Sequence, residues 1–187
     1  MERLLELDKK FFVLINAKWS SPVLDNTLPL LRHQMIWGPF YLFMLLLVLF
    51  NFRKTGIWWI LFAAATAGLT NIISSDFIKE NVMRLRPCND PAMAEHLRFL
   101  LSYRPQSSSF TSSHAANHFG LGAFFFFTLR KHIGHRAWVF FAWALLVIYA
   151  QVYVGVHFPL DVFAGSVVGL LFGYLSARSF NKNYSLL

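Results

Sequence analysis

The sequence has few charged residues and almost no cysteine. Charged residues make up 14% of the 187 positions and hydrophobic residues 56%, whereas soluble globular chains carry about 25% charged and 45–50% apolar residues. A core built by so short a chain cannot hide this much apolar surface from water, so the composition predicts a protein surrounded by lipid. Because Cys88 is the single cysteine, an intramolecular disulfide is excluded and the redox compartment stays open.

Acidic residues are also scarce, nine against 17 lysines and arginines, which gives a formal net charge of +8. A basic chain can bind nucleic acid. In a chain this apolar, however, cytoplasmic loops and anionic lipid headgroups explain the lysines and arginines better. The predicted partners are therefore the bilayer and a lipid, not nucleic acid. Glu2 and Glu6 near the N-terminus argue against a cleaved signal peptide, whose central part must be apolar.

Long uncharged runs mark the expected membrane spans. A hydrocarbon core about 30 Å thick takes about 20 helical residues to cross, and five uncharged runs meet this need once Pro159 and a snorkelling Arg178 extend the last one. The five are Gln34–Phe52, Thr55–Ser75, Pro105–Leu129, Ala137–Leu160 and Val162–Ala177. The predicted fold class is all-α, a polytopic antiparallel bundle of about five transmembrane helices that forms a single domain over residues 34–187.

Residues 1–33 have a different pattern, in which a short apolar patch at 11–15 follows Lys9 and Lys10. The patch is too short to cross a bilayer. We therefore predict an amphipathic segment that lies in the membrane interface and ends in a turn at Ser20-Ser21-Pro22. A sixth span in this segment is the alternative.

Two further apolar patterns have more than one interpretation. In the polar connection 88–109, apolar residues recur at helical spacing between Met93 and Leu101, which predicts either a short helix on the membrane surface or a packed loop. Four consecutive phenylalanines occupy positions 124–127. They can line the path of an acyl or prenyl tail, but a plain lipid-facing surface is the favoured interpretation.

The distribution of acidic residues indicates which side faces the cytoplasm. Five spans put the termini on opposite sides, and the loops of one side hold seven basic residues and none of the nine acids. These seven are Arg53, Lys54, Arg130, Lys131, Arg136, Arg178 and Lys182. The other side carries ten basic residues, but several of these have a chemical role, so we place the acid-free loops in the cytoplasm. The expected location is a bacterial inner (cytoplasmic) membrane, with the opposite loops on its periplasmic face.

Polar residues gather in three clusters at the ends of spans, 79–87, 109–114 and 157–161. Because consecutive spans run in opposite directions, the three clusters fall on one face of the membrane, where charged groups often mark function. Lys79 and Arg86 are seven residues apart, so a helix would place them on one face. There an ammonium and a guanidinium form a phosphate clamp. Cations that bind lipid headgroups are the structural alternative.

The second cluster has the residues of a helix start. Ser112 and Ser113 are good N-cap residues, and the free N–H groups of a helix N-terminus bind anions. His114 would lie in the first turn, where it can give a proton to a leaving oxygen. His118, one turn later, is predicted to have a supporting or packing role. An ordinary cap beside a solvated histidine is the alternative for this cluster.

The third cluster pairs a histidine with a carboxylate. Pro159 favours the first position of a helix, which places Asp161 in the first turn, four residues after His157. A carboxylate there can accept a proton from one imidazole nitrogen and fix the tautomer, which leaves the other nitrogen free to attack. A structural His–Asp pair at the interface is the alternative.

In this order and spacing, the three clusters resemble the motifs of the type-2 phosphatidic acid phosphatase superfamily, which is related to the vanadium haloperoxidases. The first motif of that family, Lys, six residues and Arg-Pro, is matched in full by Lys79 through Pro87. The second, Pro-Ser-Gly-His, is matched at Ser112 and His114 only. The resemblance implies an antiparallel helical bundle with the active site at one end.

The third motif departs most from the family pattern of Ser-Arg, five residues, His, three residues and Asp. His157 and Asp161 match, whereas Ala150-Gln151 stand in place of Ser-Arg. An amide can donate a hydrogen bond to phosphate but offers no charged fork. We therefore predict that Arg84 supplies the missing charge, in which case Arg84→Ala would be as damaging as the loss of Arg86.

The resemblance also implies a mechanism without metal or other cofactor. His157 would attack phosphorus and form a phosphohistidine, Asp161 would orient it, and His114 would protonate the leaving oxygen and then assist water. Donors that hold the phosphoryl oxygens stabilise the charge of the transition state. The expected phosphate-binding residues are Lys79, Arg84, Arg86, Ser112, Ser113 and Gln151.

The activity implied by the resemblance is hydrolysis of a phosphomonoester or diphosphate of a lipid. The candidate substrates are undecaprenyl diphosphate or phosphate, phosphatidylglycerol phosphate, phosphatidic acid and a lipid A-type phosphate. The alternatives are a lipid phosphotransferase on the same fold, a catalytically inactive relative, and a transporter or scaffold without enzymatic activity. Vanadate-dependent haloperoxidases carry similar motifs but are soluble. The sequence leaves the oligomeric state open.

Overall fold

The computed structural model describes residues 2–186, and every regular element in that range is helical. The six main helices are α1 (Glu2–Val13), α2 (Pro22–Leu31), α3 (Gly38–Asn71), α4 (Ser113–Ile133), α5 (Val139–Tyr153) and α6 (Pro159–Asn183). The shorter pieces are π-helical turns at Leu14–Lys18 and Ile72–Ile78, an α-helical turn at Lys79–Asn81, and 3₁₀ turns at Gln34–Trp37, Pro87–Asn89, Pro91–Met93 and Gly134–Trp138. The predicted all-α class is confirmed; Met1 and Leu187, the ends of the predicted segments, lie outside the described residues.

The chain turns back on itself in the middle of α3. Arg53 has φ 45° and ψ −117°, which is not helical. Residues eight apart in a straight α-helix are separated by about 12 Å along the axis, yet a Cβ built on Gly56 would lie 2.7 Å from the carbonyl oxygen of Val48. The two arms of α3, residues 38–52 and 54–71, therefore pack side by side.

Within residues 2–186, three helical stretches are long and apolar enough to cross a membrane. They are Gln34–Asn81, Ser113–Tyr153 and Pro159–Asn183. The first contains the turn at Arg53, and the second contains a 3₁₀ turn that starts at Gly134, whose φ of 61° favours glycine. The helices are those of an integral membrane protein, and the count of five crossings stays a prediction.

Helices α4 and α6 approach closely along glycines spaced four apart. A Cβ built on Gly165, Gly169 or Gly173 of α6 would lie 2.4, 2.3 or 2.2 Å, respectively, from a backbone carbonyl oxygen of α4 or its N-cap. Small residues at this spacing let two membrane helices pack backbone to backbone. The N-cap of α4 thus lies beside the first turn of α6, where Ser112 N donates to the backbone oxygen of Asp161 (3.0 Å). Two of the three polar clusters meet at this end of the bundle.

The consecutive phenylalanines belong to the core. Phe124, Phe125 and Phe126 are buried, and Phe127 is partly buried. The ring of Trp59 stacks on Phe125 with 4.9 Å between centroids. The interpretation of these residues as a lipid-facing surface is wrong because α4 packs against α3, α5 and α6, which together cover most of its circumference.

The N-terminal segment is a pair of short helices that packs against the body of the protein. In α1 most side chains are exposed, whereas Asp8 and Phe12 are buried. Phe12 contacts Phe158 edge to face at 5.3 Å. The turn predicted at Ser20-Ser21-Pro22 leads into α2, where the Ser21 hydroxyl accepts from Leu24 N (3.3 Å). Both helices are shorter than a span, which argues against a sixth crossing, and the interfacial location stays a prediction.

The long connection before α4 is a packed loop. Of the apolar residues at helical spacing, only those near the 3₁₀ turn Pro91–Met93 lie in a turn, and the chain is irregular from residue 97 onward. The side chain of Asn16 explains this. Its Nδ2 donates to Arg98 O (2.7 Å) and its Oδ1 accepts from Arg98 N (2.8 Å), so the backbone groups that a helix would pair are already satisfied.

Candidate active site

The three polar clusters meet at one end of the bundle. His157 lies in the connection between α5 and α6, and Asp161 lies in the first turn of α6. Arg86 and Lys79 follow the second arm of α3, and both exert electrostatic effects on His157. His114, in the first turn of α4, lies within electrostatic range of His157 and Lys79. Residues far apart in sequence thus form one site.

His157 is held in the tautomer that has the proton on Nδ1 and a lone pair on Nε2. The residue is 2% exposed, and Arg86 Nη1 lies 3.1 Å from its Nε2. Because a guanidinium has five N–H donors and no acceptor, this contact requires a lone pair on Nε2 and a proton on Nδ1. Burial lowers the pKa of His157 to about 4; cationic Arg86 and Lys79 add to the shift, and the Asp161 carboxylate opposes it. The imidazole is therefore neutral at pH 7.

Asp161 is fully buried and accepts several hydrogen bonds. Its Oδ2 accepts from Ser109 Oγ (2.5 Å) and from Phe158 N (2.9 Å), and Arg84 Nη1 donates to its Oδ1. The distance from Oδ2 to His157 Nδ1 is 3.7 Å, too long for a hydrogen bond. Ser109 Oγ, 3.5 Å from the same nitrogen, contacts both side chains. Asp161 therefore orients the imidazole by its charge and through Ser109.

The start of α4 has the geometry predicted for an N-cap. The Ser112 hydroxyl accepts from Ala115 N (3.4 Å), and the helix begins at Ser113. The Ser113 hydroxyl lies 2.7 Å from that of Ser75, so its side chain is used to join α4 to the end of α3. The first N–H groups of a helix have no partner within it. They remain the donors that this cap can offer to an anion.

His114 and His118 have different surroundings. Within residues 2–186 the His114 ring makes no hydrogen bond, and it faces a cavity of about 260 Å³ that Arg32 and Tyr103 also line. His118 Nδ1 contacts His114 O (2.8 Å), and its ring lies 4.9 Å from that of Trp143. His114 is therefore available to exchange a proton with a ligand, whereas His118 packs behind it.

Arg86 is a buried cation held by neutral oxygens. It is 6% exposed, and its guanidinium donates to Ser107 O (2.9 Å), Ser107 Oγ (3.0 Å) and Val156 O (3.2 Å) in addition to His157. Burial lowers its pKa, but an arginine starts so high that it keeps its proton. Because none of these partners is a carboxylate, its charge remains available to an anion.

The predicted helical face shared by Lys79 and Arg86 is wrong. The α-helical geometry ends at Asn81, and residues 82–86 are irregular. This segment pairs instead with the residues before α4, since Ser109 N donates to the backbone oxygen of Arg84 (2.8 Å). Lys79, in the last helical turn, and Arg86, in the irregular segment that follows, therefore reach the site from different parts of the chain and not from one helical face.

Arg84 binds carboxylates. Its Nη1 donates to Asp161 Oδ1 and its Nη2 to Asp8 Oδ2, and its guanidinium lies 4.4 Å over the ring of Phe158. Asp8 also accepts from Leu160 N (2.8 Å). The prediction that Arg84 replaces the missing arginine at the phosphate therefore has no contact in its favour. Its observed position is that of a residue that holds Asp161 in place.

Gln151, at the position of that missing arginine, contacts a different arginine. It is completely buried on α5, and its Oε1 accepts from Arg32 Nε (3.3 Å). Its Nε2 has no hydrogen-bond partner among the described residues. Sequence reasoning overlooked Arg32, Asp8 and Ser109 as site residues. No sequence pattern links Arg32 to a partner 119 positions away, and an isolated arginine before a span has the pattern of a headgroup anchor.

The site combines a buried imidazole whose Nε2 lone pair contacts Arg86, a second histidine, and several cations that have no carboxylate partner among residues 2–186. The cations around His157 and His114 are Lys79, Arg86 and Arg32. Such a set suits transfer of an anionic group, because the cations stabilise its charge and one histidine can attack while the other moves a proton. Within residues 2–186 no three His, Cys, Asp or Glu side chains are placed to hold a metal ion.

The model of the PAP2 superfamily matches residues 56–185. The lipid A 4'-phosphatase of Porphyromonas gingivalis is 30% identical to this chain over 96% of it and 78% of its own length. The resemblance inferred from the three motifs is confirmed.

Solved structures show the same fold. The crystal structure of Aquifex aeolicus LpxE superposes with a TM-score of 0.66 at 29% identity, covering 92% of this chain and 95% of that one. The transmembrane PAP2-type phosphatidylglycerolphosphate phosphatase of Bacillus subtilis has a TM-score of 0.72 over 98% of this chain and 89% of its own, and at 22% identity it shows the fold alone. Taken with the family match, these comparisons show that the chain belongs to the PAP2 superfamily and is a membrane phosphatase of this type.

Proposed function

We propose that this PAP2 phosphatase removes a phosphate group from a membrane lipid through a covalent phosphohistidine on His157. The contact between Arg86 Nη1 and His157 Nε2 carries the proposal, since it leaves the lone pair of a neutral imidazole beside a cation that can bind a phosphoryl oxygen. The Nδ1 proton lies toward Ser109 and Asp161. When Nε2 bonds to phosphorus, the imidazole becomes cationic, and the Asp161 carboxylate stabilises that charge.

The reaction has two displacements at phosphorus. In the first, the Nε2 lone pair of His157 bonds to phosphorus, the bond between phosphorus and the lipid oxygen breaks with its electrons on oxygen, and His114 gives that oxygen a proton. Arg86 turns from Nε2 to a phosphoryl oxygen. In the second, His114 takes a proton from water as the water oxygen bonds to phosphorus, and the electrons of the P–N bond return to Nε2.

The substrate class that we propose first is a lipid A-type phosphate. The support is the Porphyromonas gingivalis relative, because its similarity covers 96% of this chain. Undecaprenyl diphosphate, phosphatidylglycerol phosphate and phosphatidic acid present the same phosphate chemistry on other lipids and form the comparison set. We propose a bacterial inner membrane with the site on its periplasmic face, because the acid-free loops lie at the opposite ends of the helices.

The test is phosphate release from this set of lipids by the full chain in detergent, with chelator present and no added lipid acceptor. We expect His157→Ala to abolish release, and His135→Ala, which changes an exposed histidine at the other end of the helices, to leave it intact. A lipid A-type substrate should have the highest kcat/KM. Activity that survives in His157→Ala would refute the phosphohistidine, and release that requires a second lipid would indicate transfer to that lipid instead of hydrolysis.

A further inference from the structure

Gln151 occupies a buried position at which the third motif of the family has an arginine, and an arginine from another part of the chain binds to it. We propose that Arg32, positioned by Gln151, supplies the guanidinium that this motif lacks and binds a phosphoryl oxygen of the substrate. The inference rests on the proposed phosphatase function and adds a residue from outside the three motifs to its phosphate-binding site.

The charge of Arg32 is unmatched within residues 2–186. Its side chain is buried, with 7% of the residue exposed. Within residues 2–186 the guanidinium makes one hydrogen bond, from Nε to Gln151 Oε1 (3.3 Å), and no ion pair with a carboxylate. A buried guanidinium has five N–H donors to satisfy, and a buried charge is costly unless it is paired. The Nη1 and Nη2 atoms are therefore available to bind an anion.

Arg32 faces a cavity. It has a volume of about 260 Å³, and none of the described residues that line it carries a carboxylate. Its position beside His114 puts it next to the proposed proton donor. The residues that line it are Arg32, His33, Gln34, Met35, Tyr103 and His114. The charge of Arg32 acts on His114 and also on Arg86. An anion bound in this cavity by the Arg32 fork would thus lie beside His114.

The neutral side chain of Gln151 positions the guanidinium of Arg32. A glutamine is shorter than an arginine and carries no charge, so alone it leaves the phosphate without a fork. By accepting from Nε, its Oε1 fixes one edge of the Arg32 guanidinium and leaves the Nη1 and Nη2 end free for bidentate binding. Together, the side chains of Arg32 and Gln151 thereby occupy the space of the motif arginine and supply its charge.

The test exchanges the two side chains. Arg32→Gln removes the guanidinium and is expected to lower kcat/KM about 10- to 100-fold, the effect of losing a charge-assisted hydrogen bond. Adding Gln151→Arg returns the arginine of the motif and is expected to recover at least tenfold of that loss. Arg32→Lys keeps the charge without the fork and should lie between. Arg3→Gln, which removes an exposed charge from the same N-terminal segment, serves as the matched control and should match the wild type.

Inhibition by orthovanadate, a phosphate analogue, separates phosphate binding from a merely structural effect. We expect the inhibition constant to rise at least tenfold in Arg32→Gln and to fall again in the exchanged double variant, measured on protein whose Tm shows that it is folded. Wild-type kcat/KM and vanadate inhibition in Arg32→Gln, or no recovery in the folded double variant, would overturn the inference. If Arg32→Gln does not fold, Arg32→Lys takes its place in the comparison, and unchanged vanadate inhibition there would overturn it. A wild-type chain that releases no phosphate would refute the proposed function instead.

Discussion

Replacing Arg84 by alanine tests whether this residue holds the active site together or binds the phosphate. Its guanidinium bridges Asp161 in the first turn of α6 and Asp8 on α1. The two carboxylates are 0% and 4% exposed, and Arg84 itself is 17% exposed. Arg84→Ala therefore leaves two buried carboxylates without their shared cation.

The size of the effect follows from this burial. Removing one partner of a buried ion pair costs about 3–5 kcal/mol, because the other charge stays buried without compensation. For a chain of this length each kcal/mol lowers Tm by about 2–4 °C, so the Tm of Arg84→Ala should fall by about 10 °C. Asp8→Asn in the same chain should return part of the loss, since one of the two stranded charges is gone and the asparagine oxygen can still accept from Leu160 N. Activity should fall as well, because Asp161 is no longer held against Ser109.

The assay is thermal unfolding in detergent, with kcat/KM and vanadate inhibition measured on the same preparations. Lys9→Ala is the matched control, because the Lys9–Asp90 pair (2.9 Å) is 39% and 16% exposed and such pairs contribute about 0–1 kcal/mol. An Arg84→Ala protein with wild-type Tm and lost vanadate inhibition would refute the reasoning. It would also restore the earlier hypothesis that Arg84 binds phosphate directly.

Three further outcomes are expected. In the proposed mechanism His157 attacks as a neutral imidazole, and its pKa of about 4 lies below the ordinary 6.5, so protonation of His157 should lower kcat/KM only near pH 4; an acidic loss of kcat/KM centred at pH 6.5 would contradict this. With p-nitrophenyl phosphate, whose leaving group needs no proton, His114→Ala should accumulate an acid-labile, alkali-stable phosphoenzyme detectable by mass spectrometry, because only the second step then lacks its base; free enzyme at steady state would argue against this role. In a Cys88→Ser background, an impermeant maleimide should label Glu95→Cys in spheroplasts and Arg136→Cys only after lysis, and the reverse pattern would contradict the proposed orientation.

The local features of the site were predictable from sequence because each depends on a few adjacent residues. Ser112 caps α4 and Pro159 starts α6 as predicted, since capping and proline effects act within one turn. The alternating direction of the spans predicted that the three clusters lie at one end, and this prediction needed no knowledge of any contact. The helix predicted through Lys79 and Arg86 was wrong because tertiary pairing with the chain before α4 replaced helical hydrogen bonds.

Features that depend on which surfaces meet were not predictable. A helix in a membrane protein can be apolar on all sides whether its neighbours are lipids or other helices, so the sequence of Phe124–Phe127 could not tell the two apart. The contact of Arg32 with Gln151 and that of Arg84 with Asp8 join residues 119 and 76 positions apart. No local pattern predicts such pairs, because the folding of α1 and α2 onto the bundle creates them.

The N-terminal helices are the part of this chain that the family motifs describe least. The match to the PAP2 superfamily begins at residue 56, yet Asp8 and Arg32 both precede it and both contact motif positions or their replacements. Phe12 packs on Phe158, the neighbour of His157, and Asn16 binds the loop before α4, so direct contacts attach this N-terminal segment to the site. The replacement of an arginine by glutamine in the third motif therefore does not by itself indicate a weakened site, because the same end of the bundle gains a guanidinium from a segment that the motif does not include.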